Sequence, residues 1–92
     1  MLNGDTIEAV MYHDNGVIAQ EGTYTKEGVI DGKWISYDVN GKISAIANYQ
    51  NGKKVGEWTF FSGDVKKVVT YENSKIASVR TWQLTDTRVV SN

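Results

Sequence analysis

Apolar and polar residues alternate with a period of two along most of this chain. Ile43, Ala45, Ala47 and Tyr49 share one face of a strand, and Ile18, Gln20, Gly22 and Tyr24 repeat the arrangement. Val65, Lys67, Val69 and Tyr71 repeat it again. The alternation predicts strands at Ile7–His13, Ile18–Thr25, Lys33–Tyr37, Ile43–Tyr49, Glu57–Phe61, Lys66–Tyr71 and Ala77–Gln83. Asn-Gly pairs at 15–16, 40–41 and 51–52 lie between or beside these segments. Asn-Gly is the preferred pair for a two-residue type I′ hairpin, in which both central residues need positive φ. Hairpins in sequence, with no helical spacing between them, predict an all-β chain: one domain over 1–92, built as an antiparallel β-meander or rolled sheet. Such a sheet leaves edge strands at Ile7–His13 and Ala77–Gln83 with unpaired backbone groups.

The alternation is organised into repeats. Trp34, Trp58 and Trp82 are spaced by 24 residues, and Tyr37 and Phe61 follow the first two by three. Tyr12-His13-Asp14-Asn15-Gly16-Val17-Ile18 matches Tyr37-Asp38-Val39-Asn40-Gly41-Lys42-Ile43, and Phe61-Ser62-Gly63-Asp64-Val65 is a shortened third copy. Gly22-Thr23-Tyr24, Ala47-Asn48-Tyr49 and Val69-Thr70-Tyr71 form a further series. These words give about three copies of 24–25 residues, near 12–36, 37–60 and 61–82, with a polar tail over 84–92 expected to fray. A small residue at Gly22, Ala47 or Val69 leaves room for a neighbouring indole, so the aromatic ladder reads first as core. Gly16, Trp34, Tyr37, Gly41, Tyr49, Gly52, Gly56, Trp58 and Phe61 are the expected structural positions. Trp58, in the best-matched copy, is expected to be the most buried tryptophan, and Trp82, in a degenerate cap without the preceding glycine, the most exposed. Copy one carries an extra residue: Tyr24 to Trp34 spans ten positions where Tyr49 to Trp58 spans nine, which leaves the geometry of the Lys26–Gly32 loop open.

Composition supports strands. Branched and aromatic residues abound, leucine occurs only at positions 2 and 84, and nine glycines accompany no proline. The chain has no cysteine and one histidine, which excludes a disulfide and a Cys/His zinc site. The net charge of −1 requires no nucleic acid or other polyanion. The charge is divided, with three basic and seven acidic residues (−4) in 1–46 and seven basic and four acidic (+3) in 47–92. This reads as ordinary solvated faces, or as head-to-tail or acidic-partner contact through the basic half. No apolar run reaches the length of a membrane span and no leader peptide is visible, though Met1-Leu2-Asn3 could replace a removed one.

Reactive chemistry is sparse. His13 with Ser62 and Asp64 could be drawn as a triad, but no nucleophile elbow supports it, and His13 reads better as a cap on the first hairpin. Asp14 with Asn15, and Asp38 with Asn40, lack a calcium-loop pattern and read as side-chain turn bonds. Neither a catalytic residue nor a cofactor or metal site is expected.

The pattern Tyr-x-x-Asn-Gly-x-Ile, then Gly/Ala-x-Tyr, then Asn-Gly-Lys-Lys-x-Gly-x-Trp-x-x-Tyr/Phe resembles the MORN-repeat-variant family over about residues 10–82. Tyr37, Asn40, Gly41, Tyr49, Asn51, Gly52, Gly56 and Trp58 carry the match. The resemblance implies a non-catalytic interaction or structural module, with YwqK-like antitoxin-type proteins among its bacterial members. It also implies export for many short relatives, and so a protein partner or a cell-envelope component. Some relatives bear the label of a nicotinate-mononucleotide adenylyltransferase, whose His-x-Gly-His loop this chain lacks. MORN proteins have been linked to acidic lipids, which points to Lys53-Lys54 and Lys66-Lys67 as candidate contacts. The alternative of envelope polysaccharide or lipid-headgroup binding needs exposed aromatics, with Tyr12 and Trp82 as candidates. An edge-strand homodimer is the expected form of any self-association.

Overall fold

Strand follows strand along the chain because short turns reverse it every eight residues or so. The computed structural model describes residues 6–83; the expected fraying of 84–92 and the reading of Met1-Leu2-Asn3 fall outside them. The strands are β1 (Thr6–Tyr12), β2 (Ile18–Thr25), β3 (Ile30–Tyr37), β4 (Ile43–Gln50), β5 (Lys53–Lys54), β6 (Gly56–Ser62), β7 (Val65–Glu72) and β8 (Lys75–Gln83). They form one antiparallel sheet in the order β1-β2-β3-β4-β6-β7-β8, with β5 paired to β4. Among the described residues β1 and β8 are the edges, as the sequence predicts. The sheet is open and a single layer thick, extending 54 × 36 × 22 Å. Its radius of gyration of 15.8 Å exceeds the ~12 Å of a compact chain of this length.

Two turn designs are used, three-residue loops for the first three reversals and two-residue turns for the last three. At 13–17, 25–29 and 38–42 a hairpin of three loop residues is closed by a backbone bond, as in His13 N–H to Val17 O at 2.8 Å. Gly16, Gly28 and Gly41 take the left-handed position in each, with φ of 86–89°. Asn15 and Asn40 do not have positive φ, so the expected type I′ turns at 15–16 and 40–41 are not formed. Only Asn51-Gly52 is of that type, with φ of 51° and 85°, and Asn73-Ser74 joins it at 51° and 69°. The extra residue of copy one is thereby explained: Lys26-Glu27-Gly28 is a three-residue loop where Asn51-Gly52 is a two-residue turn.

A bulge accompanies two of the longer loops. Tyr12 pairs with Ile18 while Met11 pairs with Gln20, which leaves Ala19 extra, and Ser44 is extra in the same way between Ile43 and Ala45. The bulge reverses the alternation, so Ile18 and Ile43 lie on the opposite face from Gln20 and Ala45, contrary to the simple period-two expectation.

The core lies on one face, and tryptophan is what builds it. Gly32 and Gly56, with φ of 79° and 68°, open wide irregularities two residues before Trp34 and Trp58. Each indole folds back over the preceding strand. A Cβ on Gly22 would sit 2.1 Å from Trp34 Cδ2, so the ring lies flat against that glycine. The two indoles repeat one set of contacts. Trp34 donates Nε1–H to Thr23 O at 3.0 Å and meets Tyr24 edge-on at 5.1 Å. Trp58 donates to Asn48 O at 2.9 Å and meets Tyr49 edge-on at 5.0 Å. Trp34, Ala47, Trp58 and Val69 form the buried cluster, with Ala9, Tyr24, Ile30, Tyr49, Phe60 and Tyr71 packed around it.

Trp34 is 2% exposed and Trp58 8%, so Trp34 is the deeper, because only it rests on a glycine. Trp82 is 42% exposed, the most open of the three as predicted, but for a different reason. Val79 pairs with Val69 as Trp58 does, and so takes the seat that tryptophan holds in the earlier copies. Trp82 falls three residues later, where Tyr37 follows Trp34 and Phe61 follows Trp58, and lies on the other face of the sheet.

Candidate functional site: the row from Tyr12 to Trp82

The face opposite the buried indoles carries its own series. Because paired residues share a face, Tyr12 and Ile18, then Tyr37 and Ile43, then Phe61, Lys66 and Trp82 form one row across the sheet near the 13–17, 38–42 and 63–64 turns. Tyr12 is 63% exposed at one end. Tyr37 and Phe61 are half-buried between. At the far end Trp82 stands with Lys66 Nζ 5.3 Å and Arg80 Cζ 5.4 Å from its ring centroid. Cations this close to an indole face are attracted by the ring quadrupole. Arg80 also reaches Glu57 at 3.1 Å, an exposed pair that steers the guanidinium and adds little stability.

Of the six binding residues read from sequence, the structure places Tyr12, Lys66 and Trp82 on this row, the last two in contact. The lysine pairs are split, since neighbours in a strand point to opposite faces. Lys54 lies over Trp58 and Tyr71 at 5.1 and 5.2 Å and covers the core. Lys67 shares that face, while Lys53 borders a shallow hollow of about 400 Å³ with Gln50, Asn51, Val55 and Asn73. Sequence reasoning did not find Arg80 as a partner of Trp82; their i, i+2 spacing in a strand was the available signal. Nor did it find the groove of about 330 Å³ over β1–β3, on the face opposite the indoles, lined by Glu8, Val10, Glu21, Lys33 and Ile35.

The remaining polar groups hold turns and repeats together. His13 does cap, but across to the next copy: its Nε2 lies 2.8 Å from Tyr37 O, and Asn15 Nδ2–H donates to Val39 O at 3.0 Å. At the other end of the sheet Gly52 N–H donates to Ile30 O at 2.9 Å, and Ser74 N–H repeats this to Lys54 O at 2.9 Å. The Asp38 carboxylate accepts N–H bonds from Lys42 at 3.0 Å and Asn40 at 2.9 Å. The Lys42 bond foremost holds its pKa below the usual 3.8, outweighing some desolvation. Tyr37 donates its hydroxyl to Glu21, and that bond raises the phenol pKa above 10.0, with desolvation adding to it. Burial does the same for Tyr49. Among the described residues, no three His, Asp or Glu side chains converge as a metal site, and His13, Ser62 and Asp64 are not brought together by any hydrogen bond.

Neither a curated protein nor a solved structure matches the chain. A family model does: residues 6–26 and 30–51, which hold β1–β2 and β3–β4, match the MORN repeat variant, so that each of these two hairpins is similar to one copy of that repeat.

Proposed function

We propose that this protein is a non-catalytic binding module whose partner, a protein, docks on the Tyr12–Trp82 row and is gripped at its Lys66–Trp82–Arg80 end. The observation that carries this reading is the cation-flanked, 42% exposed indole of Trp82 on the last strand of the described sheet. An aromatic flanked by two cations favours a partner that offers an acidic group and apolar surface together. The other polar groups support a binding role rather than a reactive one. They are engaged in loop-to-loop bonds, and the grooves are shallow.

A photoreactive amino acid at position 82, introduced in the native host, tests this. A discrete protein adduct is expected, lost when Lys66 and Arg80 are both changed to Ala. The same substitutions at Lys33 and Lys53 should leave it intact. An adduct that ignores Lys66 and Arg80, or none at all, would count against the reading. Retention on a glycan array or on anionic vesicles that depends on Trp82 would replace the protein partner with an envelope one.

A further inference from the structure

The edges of the sheet are not equivalent, and the difference points to a partner. Of the ten large apolar side chains exposed among the described residues, four lie on the seven-residue β1: Ile7, Val10, Met11 and Tyr12. Natural edges are usually blunted by bulges, by charge or by proline. β8 is blunted: it carries Lys75 and Arg80, and Ala77 is an extra residue that interrupts its pairing. β1 is not. It has no proline, its single charge is Glu8, and the irregularity near its end falls on β2 at Ala19.

Strand parity fixes how a second copy of the chain can add to the sheet. Seven strands lie on the path from β1 to β8, an odd number, so both edges run in the same direction. A second copy added head to tail would place β1 beside β8 in parallel, or else flip one copy so that its indole face meets the other's polar face. Antiparallel pairing that keeps both faces continuous is possible only between like edges, about a two-fold axis normal to the sheet. We infer that β1 pairs with β1 of a second copy, with Ala9 on the axis.

The register follows from backbone phase. His13 N–H points inward to Val17 O, so along β1 the alternate residues Thr6, Glu8, Val10 and Tyr12 point their N–H and C=O outward. Full overlap of the strand then sets Thr6 against Tyr12, Ile7 against Met11, Glu8 against Val10, and Ala9 against itself. Outward groups meet outward groups. On the indole face two Ile7–Met11 contacts close over the axis and extend the apolar stripe of Ala9, Gly22 and Trp34. On the other face Glu8 avoids a direct Glu8 partner and meets it only diagonally, a weak exposed repulsion that salt relieves. A one-strand contact lies below the ~1,200 Å² of standard interfaces, so the dimer is weak, with a dissociation constant on the order of 0.1 mM.

Sedimentation equilibrium of the full chain between about 10 μM and 1 mM tests the proposal, a range that brackets this constant. Val10 is 45% exposed, so substitutions there spare the fold. Val10→Lys creates two Glu8–Lys contacts and should tighten the dimer roughly 2- to 30-fold, whereas Val10→Glu should loosen it by a similar factor. Mild oxidation should link Ala9→Cys into a dimer and leave Val79→Cys, on β8, unlinked, since the chain has no other cysteine. A monomer at 1 mM for both the native chain and Val10→Lys would overturn the inference. So would equal effects of Lys and Glu at position 10, or linkage through Val79 in place of Ala9.

Discussion

Replacing Gly22 with alanine adds one methyl group, and the structure makes that group costly. The backbone is no obstacle, because Gly22 has no left-handed φ, and alanine would restrict the unfolded chain to the benefit of stability by about 0.4–1 kcal/mol. The obstacle is the indole. The new Cβ would lie 2.1, 2.3 and 2.5 Å from Cδ2, Cε2 and Cγ of Trp34. These are ring atoms of the most buried tryptophan, so the whole side chain must move. Overpacking of this kind costs about 1–3 kcal/mol. A displaced ring also loses its bond to Thr23 O, about 0.5–1.5 kcal/mol. The upper bound is set by expulsion of the ring, equivalent to Trp34→Ala at about 3–5 kcal/mol. The expected loss is therefore about 1–4 kcal/mol. Urea titration followed by indole fluorescence measures it; with a slope near 1 kcal/mol/M the midpoint falls by about 1–4 M. A double-mutant cycle isolates the cause. In a Trp34→Ala background the penalty of Gly22→Ala should vanish or reverse, because only the favourable backbone effect remains. A neutral Gly22→Ala, or the same loss in both backgrounds, would refute the seating of the indole on this glycine.

Trp34→Ala and Trp58→Ala should each cost about 3–5 kcal/mol, and Trp82→Ala clearly less, with acrylamide quenching of single-tryptophan variants rising in the order Trp34, Trp58, Trp82. Gly41→Val and Gly52→Val should each cost on the order of 1–3 kcal/mol through left-handed strain. Gly52→Val should cost the more, since its Cβ would also meet Val29 Cγ1 at 3.2 Å; unchanged denaturant midpoints would refute both. Asp38 has a folded pKa below its ordinary 3.8, so its contribution to the 38–42 turn is complete above that value and lost as pH falls through the lower folded value. Amide shifts of Asn40 and Lys42 should accordingly titrate below pH 3.8 and lose that titration in Asp38→Asn; a midpoint at or above 3.8 would contradict the two N–H bonds.

The strands were legible because each hides one face, and a period of two is hard to disguise. All seven predicted strands exist, within three residues at each end. What sequence did not disclose was where an extra residue would be placed. Asn15-Gly16 and Asn51-Gly52 are the same dipeptide, yet the first closes a three-residue loop and the second a two-residue turn. The outcome depends on cross-strand register, which no local word encodes. The same slippage misassigned Trp82. Its spacing from Trp58 equals the earlier one, but copy three is shortened at Gly63-Asp64 and lacks the glycine that opens the irregularity before Trp34 and Trp58. Equal spacing then leads to the seat of Tyr37 and Phe61. The row from Tyr12 to Trp82 was legible only at its ends, because the bulges at Ala19 and Ser44 that turn Ile18 and Ile43 into it leave no mark in the residue types.

The bonds between successive turns, from His13 to Tyr37 and from Gly52 to Ile30, bear on how the chain reaches its structure. Every strand on the path pairs with the one before it, so each contact closes a short loop and incurs little chain entropy. Slow folding of sheet proteins comes from distant pairings, and this topology has none among the described residues. As the chain leaves the ribosome, each hairpin can find its docking surface already made. Trp34 meets Gly22, and Trp58 meets Ala47, only after the strand beneath has been synthesised. The sheet can therefore grow by one hairpin at a time, with each indole closing over the strand laid down before it.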